Sequence, residues 1–266
     1  MKTKRTNSLL SVMLILVFAS LACSTSAVQS TSTPASTDTP QPTATIALTP
    51  TNTPKPSPTP RPTKTPNLAA TKRSDEFNAE TQSYFDKGYL KTVDGKITEV
   101  DDFTYDWAQL GWYNWQQLNT KTSDFYMSAH FTWSSAFRNA DSSGCGFIFA
   151  IQDNGDHYAV FLDRSEIIFL NADQTASYSR TVGLTRGTGR VKFDNPADKP
   201  DQANFTLIVK GAYAYVLVDG KVVGEYTLSQ SKILDGNLGL SLLSGTNKDY
   251  GTRCLMTNVR IWTPTE

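Results

Sequence analysis

The sequence predicts an all-β protein, a two-sheet antiparallel jelly-roll β-sandwich preceded by a disordered linker rich in Pro, Thr and Ser. Three observations carry that prediction. Apolar and polar residues alternate at period two through short runs, tight-turn pairs such as Asn154-Gly155 and Asp219-Gly220 separate the runs, and no helical stretch is long enough to alter the class. About a dozen strands result, enough for two packed sheets, with a closed barrel as the alternative.

Composition divides the 266 residues near residue 70. We read residues 1–22 as a lipoprotein signal peptide, 23–73 as a stalk and 74–266 as the β-sandwich domain. The leader opens with Lys2, Lys4 and Arg5 and continues through an apolar run ending Leu21-Ala22, too short for a comfortable membrane span. Cys23 follows it, and Ser20-Leu21-Ala22-Cys23 resembles the bacterial lipobox, although Ser20 occupies the place where that motif usually has Leu. The resemblance implies a lipid on Cys23 and attachment to the extracellular face of a bacterial cell membrane. Ordinary cleavage and secretion is the alternative.

From Ser24 to Ala70 the chain holds ten of its 13 prolines and no aromatic residue, so no core can form there. Its Thr-Pro repeats favour polyproline II, and roughly 45 residues at about 3.1 Å each reach on the order of 100 Å. The remaining domain, roughly 190 residues, is large enough to bury about 70% of its chain surface.

Charge excludes one class of partner. Residues 75–266 carry 17 Lys/Arg against 24 Asp/Glu, a net charge near −7, which argues against a nucleic-acid ligand. Cys145 and Cys254 are the two cysteines of the domain. Because exported chains live where disulfides persist, they are expected to be bonded, with two separate buried thiols as the alternative.

Taken in order, the domain opens on Asp75-Glu76-Phe77. A hairpin is expected over Gly88–Val100 around Asp94-Gly95. Asp101–Asn119 is crowded with Phe103, Tyr105, Trp107, Trp112, Tyr113 and Trp115 but has no clean period, and reads as a long loop or irregular edge strand. Asp124–Trp133 alternates strictly, with Phe125, Met127, Ala129, Phe131 and Trp133 on one face. Cys145–Gln152 and His157–Asp163 form a hairpin whose strands are apolar on both faces, so both belong at a sheet centre. Gly187–Phe193 is expected as a strand and Leu228–Leu234 as one helical turn. Asn204–Tyr226 is a three-stranded meander turning at Lys210-Gly211 and Asp219-Gly220, and Leu238–Leu243 and Cys254–Trp262 close the domain.

Over residues 75–263 this order of features resembles the concanavalin A-like lectin/glucanase superfamily, in particular its laminin G-like and 3-keto-disaccharide hydrolase-like branches. Asp75-Glu76-Phe77, Cys145-Gly146-Phe147-Ile148-Phe149, Asp153–Tyr158, the Phe205–Gly220 meander, Gly236–Leu240 and Asn258–Trp262 carry the resemblance. It implies the sandwich fold and a place for glycan chemistry, and fold does not carry function.

No catalytic constellation stands out. A retaining glycosidase needs two carboxylates about 5–5.5 Å apart, which one strand supplies as Glu-x-Asp-x-Glu. Glu99-Val100-Asp101-Asp102 is the nearest approach and lacks the third acid, while Asp163 and Glu166 have the wrong parity. His130 and His157 have no nucleophile elbow to serve and read as sheet-face residues. Two histidines and two distant cysteines lack zinc-ligand spacing. No cofactor is expected. Calcium is the alternative, since Asp153, Asn154 and Asp156 put oxygen ligands on one turn, although an Asn-Gly hairpin needs no metal.

The aromatic segment is the candidate site. Sugar rings present apolar faces that pack on indoles, so Trp107, Trp112, Tyr113 and Trp115 are expected to bind ligand, with Asn114 and Gln116 fixing hydroxyls. A second aromatic face from Tyr126, His130 and Tyr158 is set against simple cross-strand pairing. The sequence therefore reads as a surface-anchored lipoprotein displaying a non-catalytic, lectin-like domain for polysaccharide or cell-surface glycan. A glycoside or keto-disaccharide hydrolase of the same fold, and a structural or adhesion domain that binds protein, are the alternatives.

Overall fold

A computed structural model of the chain describes residues 68–137, 142–173, 178–193, 195, 199–229 and 235–265. Among the described residues fourteen strands make two antiparallel sheets packed as a sandwich. The eight-stranded sheet has the order β1(Gly95–Val100), β14(Thr252–Pro264), β4(Phe125–Ser135), β10(Asp201–Lys210), β11(Tyr213–Val218), β12(Lys221–Thr227), β9(Gly183–Gly187), with β2(Phe103–Trp107) also pairing β14. The six-stranded sheet runs β3(Trp112–Thr122), β13(Gly236–Ser244), β5(Gly144–Ile151), β6(His157–Leu162), β7(Ile167–Asp173), β8(Tyr178–Thr181).

Period-two alternation builds the core as expected. Phe125, Met127, Ala129, Phe131 and Trp133 of β4 point inward with Phe205, Leu207 and Val209 of β10, and meet Phe147, Val160, Leu240 and Leu242 from the other sheet. Strands β5 and β6 are buried at every position and lie centrally. Asp219 and Gly220 both have positive φ, 49° and 74°, the turn that a two-residue β-hairpin prefers. Cys145 on β5 is bonded to Cys254 on β14 across the two sheets, with Cα atoms 5.6 Å apart. The bond closes a loop with a sequence separation of 109. In the chain-entropy picture such a loop contributes about 4–5 kcal/mol by restricting the unfolded chain.

Four expectations are corrected. Helix α1(Leu68–Asp86) stands where only a domain opening was read. Phe77, Thr81 and Tyr84 recur at spacings of four and three, and this stripe lies on the outer face of the eight-stranded sheet. There Phe77 stacks on Tyr126 at 5.2 Å, Tyr84 meets the same ring edge-on at 5.3 Å, and Trp262, its cross-strand neighbour, stacks with it at 5.8 Å. The Thr81 hydroxyl shares a 2.7 Å hydrogen bond with the Tyr126 hydroxyl.

The Asp94-Gly95 hairpin does not form. Gly95 instead begins β1, which pairs β14, and a Cβ at that position would collide with the Trp262 ring, so glycine is there for close approach. Leu90 leaves the strand pattern to fill the apolar cluster under α1. The strand expected over Gly187–Phe193 lies earlier, as β9, with a single bridge from Arg190 to Glu166 beyond it. Leu228 and Ser229 are non-helical, and residues 230–234 lie outside the described ones, as do the leader, Cys23 and the stalk to residue 67. Of the two readings of Asp101–Asn119, the irregular edge strand holds: the segment contains β2 and the start of β3, one edge strand in each sheet, and the β3–β13 pairing has a register shift.

Candidate functional site

Strands β2 and β3 are consecutive in the chain but belong to different sheets, so the loop between them carries the chain around one side of the sandwich. Gly111 has φ of 73°, its N–H donates to Ser244 O at 2.8 Å, and Trp112 begins the new strand. The two strands flank an open seam between the sheets.

Register decides which way each side chain points. On β2, Phe103 and Tyr105 pair with Met256 and Cys254, both core residues, and so face inward. On β3, Asn114 and Gln116 pair with Leu242 and Leu240, again inward-facing, and Leu118 reaches the core. Trp112 shares their parity. Tyr113 and Trp115 therefore face the opposite way, onto the outer surface of the six-stranded sheet.

At the seam the inward side chains of the edge strands are not covered. Tyr105 is 38% exposed and Trp112 62% exposed, and Gln116, on the same face of β3 as Trp112, is exposed too. The rings of Phe103, Tyr105 and Trp107 follow one another at 5.9 and 6.5 Å with interplanar angles of 23°. Asn114 Nδ2 donates to the Tyr105 hydroxyl at 3.0 Å, tying the two sheets together, and Asn114 Oδ1 accepts from Trp115 N at 2.8 Å. A flat ring beside amide donors and acceptors can hold the apolar face of a sugar and its hydroxyls at once.

Trp107 is the exception among the expected ligand residues. It packs against the inter-sheet core, and its indole N–H is buried without an acceptor. The Tyr113 and Trp115 side chains form a separate cluster. Tyr113 lies 5.3 Å from Phe161 and Trp115 5.0 Å from the His157 ring. His157 is 2% exposed and held at both nitrogens: Nδ1 donates to Gly155 O at 2.8 Å, and Nε2 shares a 2.8 Å hydrogen bond with the Tyr113 hydroxyl. So pinned, His157 orients the Tyr113 and Trp115 rings.

The expected platform is thus divided by strand parity: Trp112, Asn114 and Gln116 at the seam, Tyr113 and Trp115 on the outer face, Trp107 in the core. Sequence reasoning passed over Tyr105, although the period-two set Phe103, Tyr105, Trp107 marks it. Nor do Tyr126, His130 and Tyr158 share a face. Tyr126 lies under α1, Tyr158 lies between the sheets with its hydroxyl accepting from Ser229 N, and His130 contacts Asn204 at 3.1 Å on the outside. At the Asp153–Asp156 turn, Asn154 Nδ2 donates to Asp156 Oδ2 and Asn154 Oδ1 accepts from Asp156 N, so these groups close the turn on itself. Among the described residues no three His, Cys, Asp or Glu side chains converge as a metal site.

No protein-family model matches the chain, and no curated protein matches it in sequence. Solved structures do. A carbohydrate-binding module from Bacillus subtilis matches at 13% identity and a TM-score of 0.43, over 62% of this chain and 94% of that one. A protein of unknown function with a galectin-like fold, also from Bacillus subtilis, matches at 10% identity and 0.43, over 65% and 89%. The β-fructofuranosidase of Aspergillus kawachii, complexed with glycerol, matches at 15% identity and 0.43 over 66% of this chain. This chain spans 28% of that enzyme's length.

Proposed function

We propose that the domain is a non-catalytic glycan-binding module whose contact surface is the seam between β2 and β3. One observation carries the reading: Tyr105 and Trp112 stand exposed on the inward side of edge strands, next to the Asn114 and Gln116 amides. Large exposed aromatics in a contiguous set mark an interaction surface, and the amides give it hydroxyl-binding capacity. Lipid on Cys23 and the proline-rich stalk display the module at the outer face of a bacterial cell membrane. Stacking on one ring contributes about 0.5–1.5 kcal/mol beyond burial. A few such contacts give affinities in the micromolar to millimolar range, raised when many copies engage one polymer.

The test is an affinity-gel or calorimetric screen of the full chain against neutral and acidic polysaccharides, with a hydrolysis assay on the same panel. Trp112→Ala is expected to weaken binding about tenfold, roughly 1.4 kcal/mol, and no sugar is expected to be cleaved. Unchanged affinity in Trp112→Ala overturns the seam, and cleavage overturns the non-catalytic reading. For the anchor, fatty-acid labelling of the wild type but not of Cys23→Ser is the expected result, and equal labelling of both refutes it.

A further inference from the structure

We infer that Asn114 sets the hydrogen-bond polarity of the seam: it holds the Tyr105 hydroxyl as a donor toward the ligand, so that the seam recognises a sugar oxygen as an acceptor. This rests on the glycan reading of the seam. It makes Asn114 a positioning residue and Tyr105 the residue that determines specificity.

The direction of each bond follows from one group whose role has no alternative. A backbone N–H only donates, so the Asn114 atom that meets Trp115 N at 2.8 Å is the carbonyl oxygen Oδ1. That makes the other end of the amide Nδ2, which faces the Tyr105 hydroxyl at 3.0 Å, from the six-stranded sheet to the eight-stranded one. An amide nitrogen donates and does not accept, so the phenol oxygen is the acceptor in this bond. The phenol proton therefore points away from Asn114. Among the described residues no other group takes it. Because Tyr105 is exposed at the seam, that proton is offered to whatever enters there.

The ring that carries the hydroxyl is held as well. Phe103 and Trp107, its neighbours on the same face of β2, lie 5.9 and 6.5 Å from it, and each makes an angle of 23° with its plane. Packing fixes the ring and Asn114 fixes the role of its oxygen, which leaves a single donor prepared before the ligand arrives. Sugars meet such a donor with hydroxyl, ring and glycosidic oxygens, all of which accept. Ring and glycosidic oxygens carry no proton, so only a donor can hold them. A seam of the opposite polarity would lose these atoms as contacts.

The experiment titrates the full chain with hexasaccharides of β-glucan, xylan, mannan, chitin and fructan, and carries the tightest-bound one into Trp112→Ala, Tyr105→Phe, Asn114→Asp and the double variant Tyr105→Phe, Asn114→Asp. Asn114→Asp keeps an acceptor for Trp115 N but replaces the Nδ2 donor with a carboxylate oxygen, which accepts from the phenol O–H and withdraws it from the ligand. Tyr105→Phe keeps the ring. Each single change should weaken binding about five- to tenfold, and the double variant should be no weaker than the weaker single one, because both remove the same donor. A carboxyl group that regains its proton donates as the amide does. The deficit of Asn114→Asp against wild type at the same pH should therefore shrink as pH is lowered from about 7 to about 3, while that of Tyr105→Phe stays constant. Losses that add in the double variant, a deficit of Asn114→Asp that does not change with pH, or wild-type affinity in Tyr105→Phe overturns the inference, and a weakened Trp112→Ala then still upholds the seam. Absence of binding by every sugar overturns both.

Discussion

Two aromatic surfaces of this molecule have the same ingredients and opposite fates. On the outer face of the eight-stranded sheet, Tyr126 and Trp262 are sealed by Phe77 and Tyr84 of α1. At the seam, Tyr105 and Trp112 sit on edge strands with nothing described packed over them. Both sets arise from period-two alternation in β-strands. What separates them is whether another element supplies a complementary stripe, and that is a property of tertiary placement. Aromatic density in a strand thus signals an energetic commitment, either to packing or to a partner.

The sealed surface breaks most easily from the helix side. Phe77 is 1% exposed and stacks on Tyr126. Phe77→Ala leaves a cavity and strips the cover from that ring, at an expected cost of about 3–5 kcal/mol in denaturant unfolding. Binding at the seam should survive wherever the variant is still folded. A loss below about 1 kcal/mol would mean that α1 is an ornament on the sheet.

Much of this comparison was legible beforehand, and the illegible part has physical causes. The strand pairs with their own turn residues, Asn154-Gly155 and Asp219-Gly220, could be read directly because local alternation and local turn chemistry agree. The disulfide was expected from the reading of the chain as exported and from the two cysteines of the domain, and Cys145 is bonded to Cys254. Helix α1 escaped because Phe77, Thr81 and Tyr84 make a narrow stripe in a polar sequence, and its docking face is supplied by residues distant in the chain, Tyr126 and Trp262 among them. Gly95 misled because glycine for close approach to Trp262 looks like glycine for a turn. The segment of β2 and β3 hid its period because both faces carry aromatics, one inward at an uncovered seam and the other outward onto His157 and Phe161. Parity was present in the sequence, but only the register with Leu240 and Leu242 said which parity faces in.

Alkali should open the sealed surface by a second route. Burial first, with Glu80 adding to it, pushes the phenols of Tyr126 and Tyr84 far above their ordinary range. In the inter-sheet core, burial raises Tyr226 to about 12. For each, the folded-state value lies above that of the unfolded chain, near 10. Their contribution to stability is therefore intact below about pH 10 and is lost as pH rises through the folded values. Phenolate absorbance should climb in one cooperative step that coincides with loss of near-ultraviolet circular dichroism. Tyr126→Phe should move the onset to higher pH. Gradual ionisation of all the tyrosines with the fold intact would contradict this.

The smallest effect separates the two sides of β3 itself. Trp112 and Trp115 are three residues apart and would look interchangeable in a scan, yet one is 62% exposed and the other is packed beside Tyr113 and His157. Removing a half-buried indole should cost about 2 kcal/mol, roughly half of a full Trp→Ala truncation. Removing an exposed one should stay within about 0.5 kcal/mol. For a domain of this size, 1 kcal/mol moves the thermal midpoint by about 2–4 °C. Trp115→Ala should therefore lower the midpoint by about 4–8 °C, and Trp112→Ala by less than about 2 °C while carrying the larger loss of glycan affinity. If the order of the two midpoints is reversed, strand parity has been misassigned, and the binding surface belongs to Tyr113 and Trp115 on the outer face.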